Sequence, residues 1–85
     1  MEPRTQLGKL RQSVTRKSLV RMSGVLAVGR DYLARIERGE ARPSVKLMNR
    51  MAAAYKTPAV RLWEMWKVEE HAYVRSRMEK MRGEE

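Results

Sequence analysis

Two prolines, each beside a hydroxyl residue, cut the second half of this chain into helical lengths and leave little room for strands. Pro43 disfavours helical geometry at Arg42, and Ser44 directly after it can cap a new helix. The next segment carries Val45, Leu47, Met48, Met51, Ala52 and Tyr55 at helical spacing. "KTPAV" at 56–60 repeats the device, with Thr57 as cap and Pro58 at the first helical position, where its missing N–H costs nothing. A last helix is expected over 58–81, carrying Leu62, Trp63, Trp66, Tyr73, Val74, Met78 and Met81. At 1.5 Å per residue it would be roughly 36 Å long, more than a domain of this size needs on one side. Its far half should project.

The first half continues the pattern. Leu7, Leu10 and Val14 come after Thr5, a cap, and predict a first helix over 5–13. Leu19, Met22, Ser23 and Leu26 form one stripe of a second helix that starts from Thr15, with Gly24 and Gly29 near its end. A third helix is expected over 30–38, anchored by Leu33 and Ile36 and ended by Gly39, which can take the left-handed C′ conformation. With Leu33 as the buried direction, Ile36, Glu37 and Arg30 lie within about 60° of it, while Asp31, Arg35 and Arg38 point about 140° to 200° away, so the outer face is mostly cationic.

Composition supports an all-α class. Eighty-five residues make one unit, and the apolar residues are aliphatic or Met with no Phe, which suits packed helices better than a sandwich of strands. No run of eighteen apolar residues is present to span a membrane, and no cysteine to form a disulfide or thiolate metal site. The N-terminal "MEPRTQLGKL" has no apolar core of a signal peptide and reads as mature protein; a cytoplasmic location is expected. The net charge is +9, and residues 1–42 hold ten Lys or Arg against Glu2, Asp31, Glu37 and Glu40, so +6 of it lies in the first half. Such a field attracts polyanions, nucleic acid first. Asp31 is the only Asp and His71 the only His, so no catalytic constellation, metal site or cofactor is expected, and His71 reads as a surface residue.

Helices two and three, joined by a short Gly-containing turn and followed by a basic loop, form a helix-turn-helix candidate. Here the chain resembles the phage repressor and Cro-like helix-turn-helix proteins, the xenobiotic-response-element family. The resemblance covers about residues 7–62. It rests on Leu10 and Arg11; on "VTRKSLVRMSGV" at 14–25, similar to the family's L-T-Q-E-E-L-A-E-K-S-G-V; on "YLARIERGEARPS" at 32–44; and on "MAAAYKTPAVRL" at 51–62. It implies a five-helix repressor-like domain over 1–62, followed by a helical extension over 63–85. It also implies a buried structural ion pair between Arg11 and Glu37, and a recognition helix whose Arg30, Asp31, Tyr32, Ala34 and Arg35 face DNA bases. Thr15, Arg16 and Lys17, with Arg38, Arg42 and Lys46, would lie near phosphates. By residue type, an arginine favours guanine O6 and N7, Asp31 could accept from cytosine N4, and Tyr32 could pack on a thymine methyl or bind phosphate.

The turn between the two helices has two readings. In one, Arg16 replaces the family's helix-two Gln and three extra residues, "LAV" at 26–28, precede the recognition helix. In the other, Ser18 caps helix two and Met22, Ser23, Leu26 and Val28 take the core positions, which shifts the phosphate contacts by three residues. The function expected is a sequence-specific, double-stranded-DNA-binding transcription regulator of repressor type, acting as a homodimer on a palindrome. The alternative is a protein-interaction module, an antitoxin that masks a toxin or a modulator that docks on RNA polymerase. Trp63, Trp66, Tyr73 and Met78 are candidates for an oligomer interface, the two tryptophans otherwise for the core.

Overall fold

The computed structural model describes residues 4–83, and these form five α-helices with no strand among them. Helix α1 spans Gln6–Leu10 and runs on into a π-helical segment, Arg11–Thr15; α2 spans Leu19–Leu26, α3 Arg30–Glu37, α4 Val45–Tyr55 and α5 Ala59–Gly83.

The hydroxyl of Thr5 accepts the Gly8 N–H at 3.0 Å and starts α1. The helical path does not stop at 13 but reaches Thr15, where Arg16 turns left-handed with φ 56°. A π turn takes in one residue more than an α turn, and so rotates the residues after it about the helix axis. Arg11, four residues after buried Leu7, stays on the inner face, and Val14, expected on the buried stripe, is left exposed.

The same turn decides where α2 begins. Thr15 donates its hydroxyl to the Arg11 carbonyl at 2.6 Å and accepts the Lys17 N–H at 3.1 Å, so it closes α1 and does not cap α2. Ser18 is the cap, accepting the Arg21 N–H at 3.2 Å. Met22, Ser23 and Leu26 are buried and Val28 packs partly against them. "LAV" is therefore no insertion. Leu26 is the last core residue of α2, and Ala27, left-handed at φ 58°, opens the turn. The Val28 N–H bonds the Ser23 carbonyl at 3.0 Å, and Arg50 of α4 reaches the Leu26 carbonyl at 3.2 Å. Neither Gly24 nor Gly29 ends the helix, although Gly29 precedes α3 as its N-cap.

Helix α3 ends as its sequence suggests, with Gly39 at φ 76° and its N–H on the Ile36 carbonyl at 3.0 Å. Space imposes a second demand there. A Cβ on Gly39 would lie 2.3 Å from the Glu70 nitrogen and 2.4 Å from the Glu69 carbonyl carbon, because α5 crosses directly against this turn. Ser44 caps α4 through the Leu47 N–H at 3.0 Å. Thr57 does not cap α5: its hydroxyl donates to the Tyr55 carbonyl at 2.9 Å, and α5 starts at Ala59, one residue after Pro58.

The core gathers Leu7, Met22, Leu26, Leu33, Ile36, Leu47, Met48, Met51, Tyr55, Leu62 and Trp66. Val45, read as part of the α4 stripe, is exposed. Trp66 is 2% exposed and donates its indole N–H to the Ala41 carbonyl at 3.1 Å, so burial within the protomer removes it from any oligomer interface. Packing thus continues past residue 62: Glu69 accepts the Gln6 N–H at 3.0 Å, and Glu70 lies against Gly39. Beyond this, Tyr73 is half-buried while Val74, Met78 and Met81 are exposed along the projecting half of α5.

At the centre, Arg11 Nε meets Glu37 Oε2 at 2.7 Å and Nη2 meets Oε1 at 3.2 Å, while Nη1 donates to the Lys17 carbonyl at 2.8 Å. Both side chains are 7% exposed. The hydrogen bond to Glu37 raises the Arg11 pKa above its ordinary value despite the opposing effect of burial. Tyr55 lies within the field of this pair with its hydroxyl unbonded among the described residues. Burial, and then the charge of Glu37, push its phenol pKa upward, so it remains neutral.

Removing one partner of such a pair strands a buried charge. Glu37→Ala should cost about 3–5 kcal/mol in urea denaturation, and the double variant Arg11→Met/Glu37→Leu should recover most of that loss. An unchanged unfolding midpoint for Glu37→Ala would remove the pair from its proposed role. At an ordinary left-handed cap Asn replaces Gly with little loss, whereas here Gly39→Asn should destabilise as severely as Gly39→Ala, by more than about 2 kcal/mol, because both carry a Cβ. A near-native melting temperature for Gly39→Asn would show that α5 can move aside.

Candidate nucleic-acid interface

Leu33, Ile36 and Glu37 hold α3 to the domain from one side, the first two in the core and the third through Arg11. The opposite side is free for a partner. Asp31 and Arg35 are exposed on it, Tyr32 is 39% exposed, and Ala34 is half-buried with a side chain small enough to admit close approach, while Arg30, three residues before Leu33 and seven before Glu37, is exposed at the N-terminal end of the helix on their side. Gly29 supplies no side-chain cap, so the first N–H groups of α3 remain available as donors.

The side chains on this face differ in how firmly they are held. Arg30 and Asp31 approach at 3.4 Å, an exposed contact of little stabilising value that a ligand could replace. Asp31 also lies in the first turn of α3, where a negative charge is favoured by the helix dipole. Tyr32 donates its hydroxyl to the Arg42 carbonyl at 3.3 Å, tying α3 to the loop after it. Among the described residues Arg35 makes no ion pair or side-chain hydrogen bond.

The basic residues assigned to phosphates fall into three groups. Arg38 is exposed and paired with Glu40 just past the end of α3. Arg42 places its guanidinium 5.6 Å from the Trp63 ring centre and 6.0 Å from that of Trp66, with the two indoles edge-to-face. This cation–π contact braces Arg42 and occupies one side of Trp63, which leaves Tyr73 and Met78 as the free members of the proposed interface set. Lys46 is exposed in the first turn of α4.

Thr15, Arg16 and Lys17 do not form the first turn of α2, as the first reading of the turn required. They make the connection before it, where Thr15 is spent on backbone bonds and the Lys17 carbonyl receives Arg11. Arg16 remains exposed there. The residues that do start α2 are Ser18, Leu19, Val20 and Arg21.

Between α1, the start of α2 and α3 lies an open cleft of about 620 Å³, lined by Arg4, Gln12, Ser18, Arg30, Ala34 and Arg38 among others. Arg4, Gln12 and Ser18 were not among the residues assigned to a contact from sequence. Ser18 was within reach as the cap in the second reading of the turn; Arg4 and Gln12 come to the cleft only through the packing of α1 beside α3. The arrangement can hold an anion by charge and by hydroxyl and amide donors.

No helix is long and apolar enough to cross a membrane among the described residues. No curated protein and no solved structure matches the chain. Residues 4–64 match the family model described as a helix-turn-helix domain, a stretch that contains α1 to α4, the turn at Ala27 and all of the α3 face. With the match, the buried brace and the exposed second helix of the motif in agreement, the chain belongs to the helix-turn-helix domain family.

Proposed function

We propose that this protein is a sequence-specific, double-stranded-DNA-binding transcription regulator, of the xenobiotic-response-element type, that reads the major groove with the outer face of α3. The observation that carries the reading is that face itself. Asp31 and Arg35 are exposed on a helix whose other side is locked by Leu33, Ile36 and the Arg11–Glu37 pair, and Arg30 is exposed at its first residue. Rigid presentation of a few polar side chains is what direct readout requires. Arg35 and Arg30 serve as guanine readers, Asp31 as an acceptor or as an orienting partner for Arg30, and Ala34 as the position of close approach. Arg38, Arg42 and Lys46 approach phosphates from the end of α3 and the loop after it, and Arg16 approaches one from the connection before α2. The +6 balance of residues 1–42, the stretch that contains α1 to α3, supports a polyanion as the partner.

One α3 spans only a few base pairs, so two copies would act together on inverted half-sites, their recognition helices about 34 Å apart. The protein would work in the cytoplasm as a repressor and as a binding protein without an activity of its own. A second reading, a module that docks on a toxin or on RNA polymerase, has its own support in the exposed Val74, Met78 and Met81 of α5.

Selection of bound sequences from a random duplex pool is the direct test, with a palindrome as the expected product. Equal affinity for selected and random duplex at physiological salt would defeat the reading. Against the selected site, Arg35→Ala should cost about 1–3 kcal/mol and relax the preference at one position, while leaving random-duplex binding little changed. Lys46→Ala should weaken both duplexes alike and reduce the salt slope by about one. Parallel losses for the two variants would move Arg35 to the phosphate-contacting class.

A further inference from the structure

Past Tyr73, α5 continues for more than two turns with no other part of the chain packed over it among the described residues. Val74, Met78 and Met81 are 47%, 61% and 65% exposed. At 100° per residue they fall within about 60° of one another, one apolar stripe along the projecting helix. Arg77 borders the stripe on one side and Arg82 and Arg75 border it on the other, while Glu79 lies on the far face. Over the described residues 71–83 the balance is Arg75, Arg77, Lys80 and Arg82 against that single Glu, with Glu84 and Glu85 following in the sequence.

The rim charges select the occupant. A second copy would set like charges against one another: in an antiparallel pairing of Val74 with the copy's Met78, Arg77 meets the copy's Arg77 and Arg75 the copy's Arg75, and in a parallel pairing Arg77 meets the copy's Arg82. Duplex DNA would satisfy the arginines but leave the valine and methionine side chains against a polyanion. A protein surface with an apolar floor and carboxylate edges satisfies both parts at once.

We propose that the projecting half of α5 is a docking helix for a protein partner that receives Val74, Met78 and Met81 in an apolar groove rimmed by aspartate and glutamate. The thioethers of Met78 and Met81 adapt to such a groove without a fixed rotamer. The proposal deepens the docking-module reading of the function and rests on it; two copies aligned by a palindrome need no contact through this stripe.

The test uses the full chain and two designed amphipathic helical peptides with the same leucine stripe, one flanked by glutamates and one by lysines. At physiological salt the acidic peptide should bind at least about tenfold more tightly, a difference of about 1.4 kcal/mol, and should shift the methyl resonances of Met78 and Met81. The triple variant Arg75→Glu/Arg77→Glu/Arg82→Glu should invert the preference, and Val74→Ser/Met78→Ser should abolish binding of the acidic peptide, each with native helix content by circular dichroism. Equal binding of the two peptides, or binding of neither, overturns the proposal. A concentration-dependent dimer lost in Met78→Glu assigns the stripe to a second copy instead. A duplex-binding salt slope that falls by about three in Arg75→Gln/Arg77→Gln/Arg82→Gln assigns the arginines to DNA. Failure is distinguishable from failure of the DNA reading, because selected-site binding depends on Arg35 and is measured on the same variants.

Discussion

The Arg11–Glu37 ion pair is the interaction through which the rest of the fold is registered. It joins the π-helical end of the first helix to the last turn of the recognition helix, across 26 residues of chain. A bidentate contact needs the carboxylate and guanidinium coplanar, so it constrains orientation as well as distance. The third arm of the guanidinium holds the Lys17 carbonyl and thereby fixes the connection that leads to Ser18 and α2. One buried side chain thus sets the relation between α1, the start of α2 and the end of α3. An apolar pair could match its stability, as buried ion pairs often gain little over hydrophobic contact. What an apolar pair lacks is a directional third bond to the backbone.

The C-terminal side of α3 is fixed by a different kind of constraint. Gly39 admits the backbone of α5 where any Cβ would collide with Glu69 and Glu70. The same stretch of α5 holds the first N–H of α1 through Glu69, and one turn earlier Trp66 holds the Ala41 carbonyl of the loop. The middle of α5 therefore bears on the start of α1 and on the end of α3, while among the described residues nothing packs over the far half. Change at the projecting end is separated from the recognition face by this clamp, which lets the two surfaces have different chemistry.

The legible parts of the sequence were those where one residue had one competitor-free role. Gly39, Pro43 and Ser44 mark the end of α3 and the start of α4 because each signal agrees with the next. Leu33 and Ile36 anchor α3 where their spacing puts them, and the Arg11–Glu37 pair was reached through family resemblance and is present. The start of α2 was ambiguous because Thr15 and Ser18 are both good caps, and the choice depends on a π turn that no local pattern announces. That turn also moved Val14 to the surface. At Trp66 helical periodicity shows an apolar stripe but not what covers it; the answer is a hydrogen bond to a residue 25 positions away. Arg42 likewise reads as a free cation in sequence, and only the fold places it over Trp63.

The two cationic surfaces differ in what accompanies their charge, and this difference decides their partners better than net charge does. On α3 the arginines stand with Asp31, Ala34 and a tethered Tyr32, polar or small neighbours that suit hydrogen bonding to base edges. On the end of α5 they flank exposed Val74, Met78 and Met81, which gain nothing from a phosphate backbone. Both surfaces attract acids, and at long range the +9 chain draws any polyanion to either. At contact the apolar fraction separates them, since hydrophobic burial is unscreened by salt while charge attraction between exposed groups fades beyond roughly 8 Å at physiological ionic strength. Raising salt should therefore weaken contacts on the α3 face more steeply than contacts on the α5 stripe, because on each surface the slope follows the charges neutralised and the apolar share of the α5 contact adds none.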